Sequence, residues 1–565
     1  MLENASDFLE LFKSFPVSIS VLLVVPIALL SGHGSPAMAA HEFPVFRMQQ
    51  FDLQQTLKGS RSSLVNMEAR PLTADMLTRR CVVTRLSDLT IERFKEAIQT
   101  LGAGAMLILL PKNTSLTSLE QMQEWQQLER DLLTLEVPVA VYFAYEDKEL
   151  AEIYEDIKTA INTDQAGSAF EALLGVASTS GHQMVVNVGE AKEIKDITIT
   201  SLQGRLAGMG VDEQLPTIGV VTHYDTFGVA PSLAFGSDDN GSGVVALLEL
   251  ARLFSRLYAD SRMQAKYNLV FFLSGGGKFN YQGTKRWLEE NLDNPETSVL
   301  SEVDFVLCLD SISKTDNLFL HVSKPPKEGT PAFELVKEFQ AVAEAFFKEI
   351  NFSMIHKKIN LAEETLSWEH ERFSLHTQRL PAGTLSHYAE PTVLGRSSIF
   401  DVRNARSDEK LERNIGFIAE VLVRHIFNLT TKGYPRNMKV FSGSMTIDSH
   451  FVKTWMDYLG GQARGAQLFN KNHPFLSGLE QSLAKFVKEV RKFSAKADRR
   501  DPEFMFYDKP ETTMFAYRVK PAIFDLFLAV GIASYLGLFY LAVMNSSMLC
   551  EILLRPVMNL KTKQQ

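Results

Sequence analysis

His223-Tyr224-Asp225 and, thirteen residues beyond Asp225, Asp238-Asp239-Asn240-Gly241-Ser242-Gly243 are the residues of this chain best suited to chemistry. The first group closes the β-rich run Thr217-Ile218-Gly219-Val220-Val221, and the second opens a helix-length segment from Val244 to Tyr258. Asp310 closes another such run, Phe305-Val306-Leu307-Cys308-Leu309. An imidazole and carboxylates delivered from neighbouring strand ends can share a divalent cation, the imidazole suiting zinc and a carboxylate able to bridge two ions. Singly these signals are weak. A His-x-Asp is more often structural than not, an Asp before a Gly-rich helix start is commonly an N-cap, and His387 could substitute as a ligand but reads more readily as an ordinary surface or core histidine.

The elements that must position these side chains alternate between strand and helix patterns. Helical periodicity over Ile91–Leu101 leads into Met106-Leu107-Ile108-Leu109-Leu110, and Val137-Pro138-Val139-Ala140-Val141-Tyr142-Phe143 repeats the signature of a buried strand. The runs at 217–221, 268–273 and 305–309 continue the alternation, which predicts a largely parallel sheet with its sites at the strand carboxyl ends. We therefore divide the chain into an N-terminal α/β lobe at 40–195 and a second α/β domain at 196–435. A helical stalk follows at 436–518, carried by a helix over Leu476–Lys492.

Two apolar segments bear on compartment. Val17–Leu30 is short for a span and is followed by Ala37-Met38-Ala39, a small-x-small cleavage pattern, so 1–39 reads as a signal peptide, with an uncleaved signal anchor as the alternative because Glu3, Asp7 and Glu10 are unusual ahead of it. Ala522–Met544 is apolar apart from Asp525 and a few small polar residues, and is long enough to cross a bilayer as a helix of ~34 Å. Tyr517 and Tyr540 lie toward its two ends. These features predict a membrane helix at 519–545, a lumenal bulk and a cytosolic tail at 546–565. Asp525, about one turn into the span, suits interfacial solvation or contact with another membrane subunit.

The net charge of −9 is spread over interspersed acids and bases with no basic run, which argues against direct nucleic-acid binding. Cys81, Cys308 and Cys550 are too few and scattered for a zinc ribbon or a disulfide framework; a Cys81–Cys308 bridge and two buried thiols both fit a lumenal chain. The sequons at Asn113, Asn240, Asn351 and Asn428 offer glycan sites, the one at Asn240 beside the candidate site.

Taken in this order on an α/β chain, His223, Asp225, Asp238 and Asp310 resemble the co-catalytic aminopeptidase (M28-like) family of di-zinc exopeptidases, whose fold glutaminyl cyclase and nicastrin share. The resemblance implies that His223, Asp238 and Asp310 are vestiges of one metal's ligands and that Asp225 orients the imidazole. It also exposes two gaps. Where the family carries a Glu-Glu pair, general base and second-metal ligand, this chain has Ser274-Gly275-Gly276-Gly277-Lys278-Phe279-Asn280, and the closing His falls on Ser397 in Arg396-Ser397-Ser398-Ile399-Phe400-Asp401. A general base is worth roughly 10²–10⁴-fold, and Lys278 would repel a cation. The resemblance therefore implies a pseudoenzyme with no catalytic residue and no cofactor.

Longer phrases, among them Ser274–Trp287, His321–Pro326, Trp368–Phe373, Arg500–Phe504 and Tyr517–Leu526, resemble the nicalin family of nicastrin relatives. That resemblance implies a single-span glycoprotein of the endoplasmic reticulum, type I, assembled with the nodal modulator protein and a small multi-span membrane protein. It implies further a complex that joins the Sec translocon and ribosome in multi-pass membrane protein biogenesis, with a link to Nodal signalling. A one-metal hydrolase and a nicastrin-like substrate receptor are the competing expectations.

Overall fold

The computed structural model describes residues 41–113, 117–164, 181–210, 215–260, 262–263, 265–294, 298–375, 379–392, 396–429, 438–498, 500, 502–519 and 522–544. The expected signal peptide, the cytosolic tail and Cys550 lie outside the described residues, as does the side chain of Asp525.

The first lobe contains β1 (His41–Arg47), β2 (Gln50–Leu53), β3 (Thr56–Ser60), β4 (Val65–Pro71), β5 (Cys81–Arg85), β6 (Ala105–Leu110), β7 (Glu136–Val137), β8 (Ala140–Tyr145) and β9 (Gly181–Val186). The larger domain contributes β10 (Thr198–Leu206), β11 (Thr217–His223), β12 (Asn268–Ser274), β13 (Val303–Leu309), β14 (Asn317–Val322), β15 (Asn351–His356) and β16 (Ala382–Ser386). After helices at Asp408–Ile426, Ser449–Gly460 and Pro474–Ala484 the chain forms β17 (Glu489–Lys496), β18 (Phe504–Phe506) and β19 (Glu511–Val519).

The larger domain is built on an eight-stranded mixed sheet, ordered β15-β14-β16-β13-β11-β12-β10-β17. Its centre is parallel: β11 pairs with β12 and β13, and β13 with β16, all in the same direction. Every residue of β11 and β12 is buried, as expected for central strands covered on both faces, whose sequences read as continuous apolar runs. Helix Gly241–Ala259 is apolar almost all round and packs into the main core with helix Asp408–Ile426. Parallel direction and common register bring His223, Ser274 and Asp310 to one edge.

The region 436–518 is not a helical stalk. Its second helix stops at Ala484, and β17 then pairs along its length with β10 as an edge of the large sheet. Charged residues on that stretch, read as a solvated helix face, instead give an edge strand the charges that blunt it against further pairing. β18 pairs with β2, and β19 lies between β1 and β9. β19 thereby completes a closed barrel, β1-β19-β9-β4-β5-β6-β8, so the first lobe is finished only by the last described strand.

Cys81 in β5 and Cys308 in β13 are free, buried thiols, and burial pushes Cys81 up to about 12. The C-terminal helix runs Ala522–Met544, and its described large apolar side chains, including Leu528, Val530, Ile532, Leu536 and Leu538, are exposed. Among the described residues no helix is long and apolar enough to cross a membrane; in this helix side chains are described only at 528–541 and 544.

Candidate functional site

His223 is the last residue of β11, Asp310 directly follows β13, and the Asp238–Asn240 segment delivers the chain into helix Gly241–Ala259, with Asn240 in the left-handed conformation (φ 68°). The turn after β12 passes so close to His223 that a Cβ on Gly277 would lie 2.2 Å from the ring. The segment 396–401 closes the site from the other side. Two adjoining clusters of buried charge result.

In the first cluster Lys278 Nζ donates to Asp239 Oδ2 at 2.8 Å, and the Ser397 amide donates to the same oxygen at 2.8 Å. Arg396 donates to Asp310 Oδ2 at 2.9 Å and to Tyr281 Oη at 3.2 Å, with its guanidinium over the Trp368 ring at 4.3 Å. Asp310 Oδ1 accepts from the amide and hydroxyl of Ser311. Burial alone would raise the Asp310 carboxyl, but Arg396, His223 and Lys278 outweigh it and hold the group at about 2. His223 Nδ1 lies 3.4 Å from Glu369, whose other oxygen accepts from the hydroxyls of Ser274 and Thr284, both at 2.6 Å. His223 Nε2 and Asp239 Oδ1 are buried and have no protein partner.

In the second cluster Asp238 Oδ1 accepts from the amide and hydroxyl of Ser313, at 2.9 and 2.7 Å, and its Oδ2 pairs with His387 Nε2 at 2.7 Å. Lys314 Nζ sits 2.7 Å from Asp401 and 3.7 Å from Asp238. Burial opposes ionisation of Asp238, but His387 and Lys314 drive it well below the usual carboxylate range. Asp401 accepts from the backbone amides of both Asp238 and Asp239, which fixes the helix entry.

These contacts revise the sequence reading at four residues. The carboxylate that joins the cluster of Asp310, Lys278 and Arg396 belongs to Asp239, whereas Asp238 turns to Ser313 and His387. Asp225 accepts from the amides of Gly277 and Lys278, at 2.7 and 2.9 Å, so it shapes the acid-free turn after β12, and the acid that meets the imidazole is Glu369. His387 belongs to the site. Asn240 is fully buried, its amide donating to the His223 carbonyl, so it offers no surface for a glycan; Asn113, Asn351 and Asn428 are exposed.

The fit of a di-metal centre can be judged from what already holds each donor. One oxygen of each carboxylate already carries a cation, an ammonium on Asp239, a guanidinium on Asp310, and an imidazole with a second ammonium on Asp238, while Asp239 Oδ1 and His223 Nε2 have no protein partner. Among the described residues no three His, Cys, Asp or Glu side chains are grouped to hold a metal ion. These residues do not fit a di-zinc centre. The cleft alongside, about 250 Å³, is lined in part by Lys278, Tyr281, Arg396 and Ser397 and presents no free carboxylate from either cluster.

A residue from the other lobe completes the wall. Glu129, on helix Leu119–Thr134, is buried and accepts from the amides of Val229 and Ile399 and from the hydroxyl of Ser398. Burial dominates these hydrogen bonds and raises its carboxyl to about 7. The folded chain therefore binds a proton here that the unfolded chain releases near the ordinary glutamate value. Stability from this group is retained at low pH and lost as pH rises from about 4.5 to about 7. Glu129→Gln, which keeps the acceptor and can donate to Ser398, is expected to flatten the dependence of the urea midpoint on pH across that interval; an unchanged slope would refute the assignment.

Residues 205–376 match the family model described as peptidase family M28. Over 567 residues, covering 100% of both chains, the sequence is 48% identical to the BOS complex subunit NCLN of Homo sapiens. It is 28% identical to nicalin of Caenorhabditis elegans over 555 residues, 94% of this chain and 96% of that one. Among solved structures the gamma-secretase component nicastrin superposes with a TM-score of 0.60 over 84% of this chain and 99% of its own, at 10% identity, a likeness of fold.

Proposed function

The chain belongs to the family of nicalin and the BOS complex subunit NCLN, and from that premise we propose that it is a non-catalytic, membrane-anchored subunit of a BOS complex. The observation that carries the non-catalytic part is the pairing of Asp239 with Lys278 and of Asp310 with Arg396 on a turn that bears no acid from Ser274 to Asn280. Hydrolysis of a peptide bond on this fold needs a base to take a proton from water and a centre to stabilise the oxyanion. Here Arg396 holds Asp310 ionised, Asp239 is paired with Lys278, and no acid stands on the turn where the base belongs.

The finer parts of the reading follow the same family. The partners are the nodal modulator protein and a small multi-span membrane protein, and the assembly joins the ribosome-bound Sec translocon to assist multi-pass membrane proteins, with an effect on Nodal signalling. The anchor is helix Ala522–Met544, whose 23 residues reach ~34 Å and whose described apolar side chains are uncovered by the rest of the chain. The bulk then lies in the lumen of the endoplasmic reticulum. Purification from microsomes in mild detergent is expected to yield the chain in stoichiometric complex with both partners; elution as a lone chain would overturn the reading. Glycopeptide mass spectrometry of that material is expected to find sugar on one or more of Asn113, Asn351 and Asn428 and none on Asn240. A glycan at Asn240 would contradict the burial described above.

A further inference from the structure

We infer that Lys278 and Arg396 stand, as ammonium and guanidinium, in the places that divalent cations take in the related peptidase fold, and that they do the structural work of those metals permanently. Asp238, Asp239, Asp310 and Asp401 are each at most 2% exposed, so four carboxylates are packed where no bulk water screens them. Unpaired buried charges of that kind are strongly destabilising. Lys278, Arg396 and Lys314, with His387, supply the compensation from within the chain.

The substitution does more than balance charge. A metal on this fold would draw together the ends of separate strands, and here the side-chain cations connect the same segments. Lys278, after β12, reaches the helix entry at Asp239. Arg396 ties the residue after β13 to Tyr281 and to the main-chain carbonyl of Ser367, a fork too constrained to be an incidental surface pair. Ser397 holds a left-handed backbone (φ 67°), unfavourable for a residue with a Cβ, and its amide is secured by the oxygen that receives Lys278. Lys278 thus fixes Asp239, and Asp239 fixes the 396–401 segment. With the ammonium gone, the site would be short of one positive charge where Asp239 Oδ1 and His223 Nε2 are already buried without a protein partner.

The test uses the full-length chain in detergent, and its outcome is independent of whether the chain joins a BOS complex. Metal content by mass spectrometry and thermal unfolding with EDTA or with zinc chloride are measured for the unaltered chain, Lys278→Gln and Lys278→Arg. The unaltered chain is expected to carry substoichiometric zinc and to show the same Tm in buffer, EDTA and zinc. Lys278→Gln is expected to lose roughly 5 °C of Tm and to recover part of it as zinc is added, while Lys278→Arg stays near the parent. Stoichiometric metal in the unaltered chain, or a Tm that EDTA lowers, would overturn the inference, and these two readings stand even if Lys278→Gln fails to fold. So would a folded Lys278→Gln that zinc leaves unmoved, since the ammonium would then be neutralising Asp239 without occupying a cation's place.

Discussion

Replacing Arg464 by methionine is expected to destabilise the chain by about 3–5 kcal/mol, seen as a large fall in the urea midpoint with its cooperativity retained. Arg464 is fully buried, and its guanidinium donates to the carbonyls of Tyr224, Phe235 and Gly236. Its own main chain bonds to Ala234 and Thr226. Methionine approximates the volume and supplies no donor, leaving the carbonyls of Tyr224 and Phe235 unmet at about 1–3 kcal/mol each and that of Gly236 with only the Gly241 amide. Those carbonyls flank His223 on one side and Asp238 on the other, so the segment beyond 435 holds the loop on which the site is built. Burial lowers the Arg464 guanidinium to about 10 against the pull of Asp239, Asp401 and Asp225, so it is charged at neutral pH and Arg464→Lys, with a shorter and unforked donor set, is expected to recover only part of the loss.

Gly277→Ala is the second large effect. The added Cβ would fall 2.2 Å from His223 Cγ and 2.4 Å from its Cβ and Cδ2, and neither side can yield. His223 is buried in its own strand end, and the Gly277 amide is held by Asp225. Overpacking of this severity costs about 3 kcal/mol. Gly478→Ala is the matched control: it lies within helix Pro474–Ala484, and the nearest atom to its Cβ is Tyr458 Oη at 3.7 Å. It is expected to be neutral or to stabilise by up to about 1 kcal/mol through helix propensity. Equal losses in the two variants would remove the case that the Gly277 turn is moulded to the imidazole.

What sequence made legible was local. The runs ending at Val221, Leu273 and Leu309 announced central strands because strands buried on both faces need uninterrupted apolar residues. The same reading brought His223 and Asp310 to one sheet edge and found the acid-free turn after β12. It chose Asp238 over Asp239 because spacing does not reveal which of two neighbouring acids turns inward. It missed Glu129 and Glu369 because their partners lie roughly 100 or more residues away for Glu129 and about 85–146 for Glu369, and no local pattern encodes such pairings. β17 and β19 escaped for a related reason: their place is set by the edges of β10 and β1 that receive them, and the charged sequence of β17 suits a solvated helix equally well.

Loss of catalysis is tested most directly by one measurement, turnover of aminoacyl-fluorogenic substrates by the purified full-length chain with zinc supplied in excess. With Asp239 and Asp310 committed to Lys278 and Arg396, the rate is expected to equal that of buffer and to be the same in Asp239→Asn. Zinc-dependent turnover that Asp239→Asn abolishes would contradict the account.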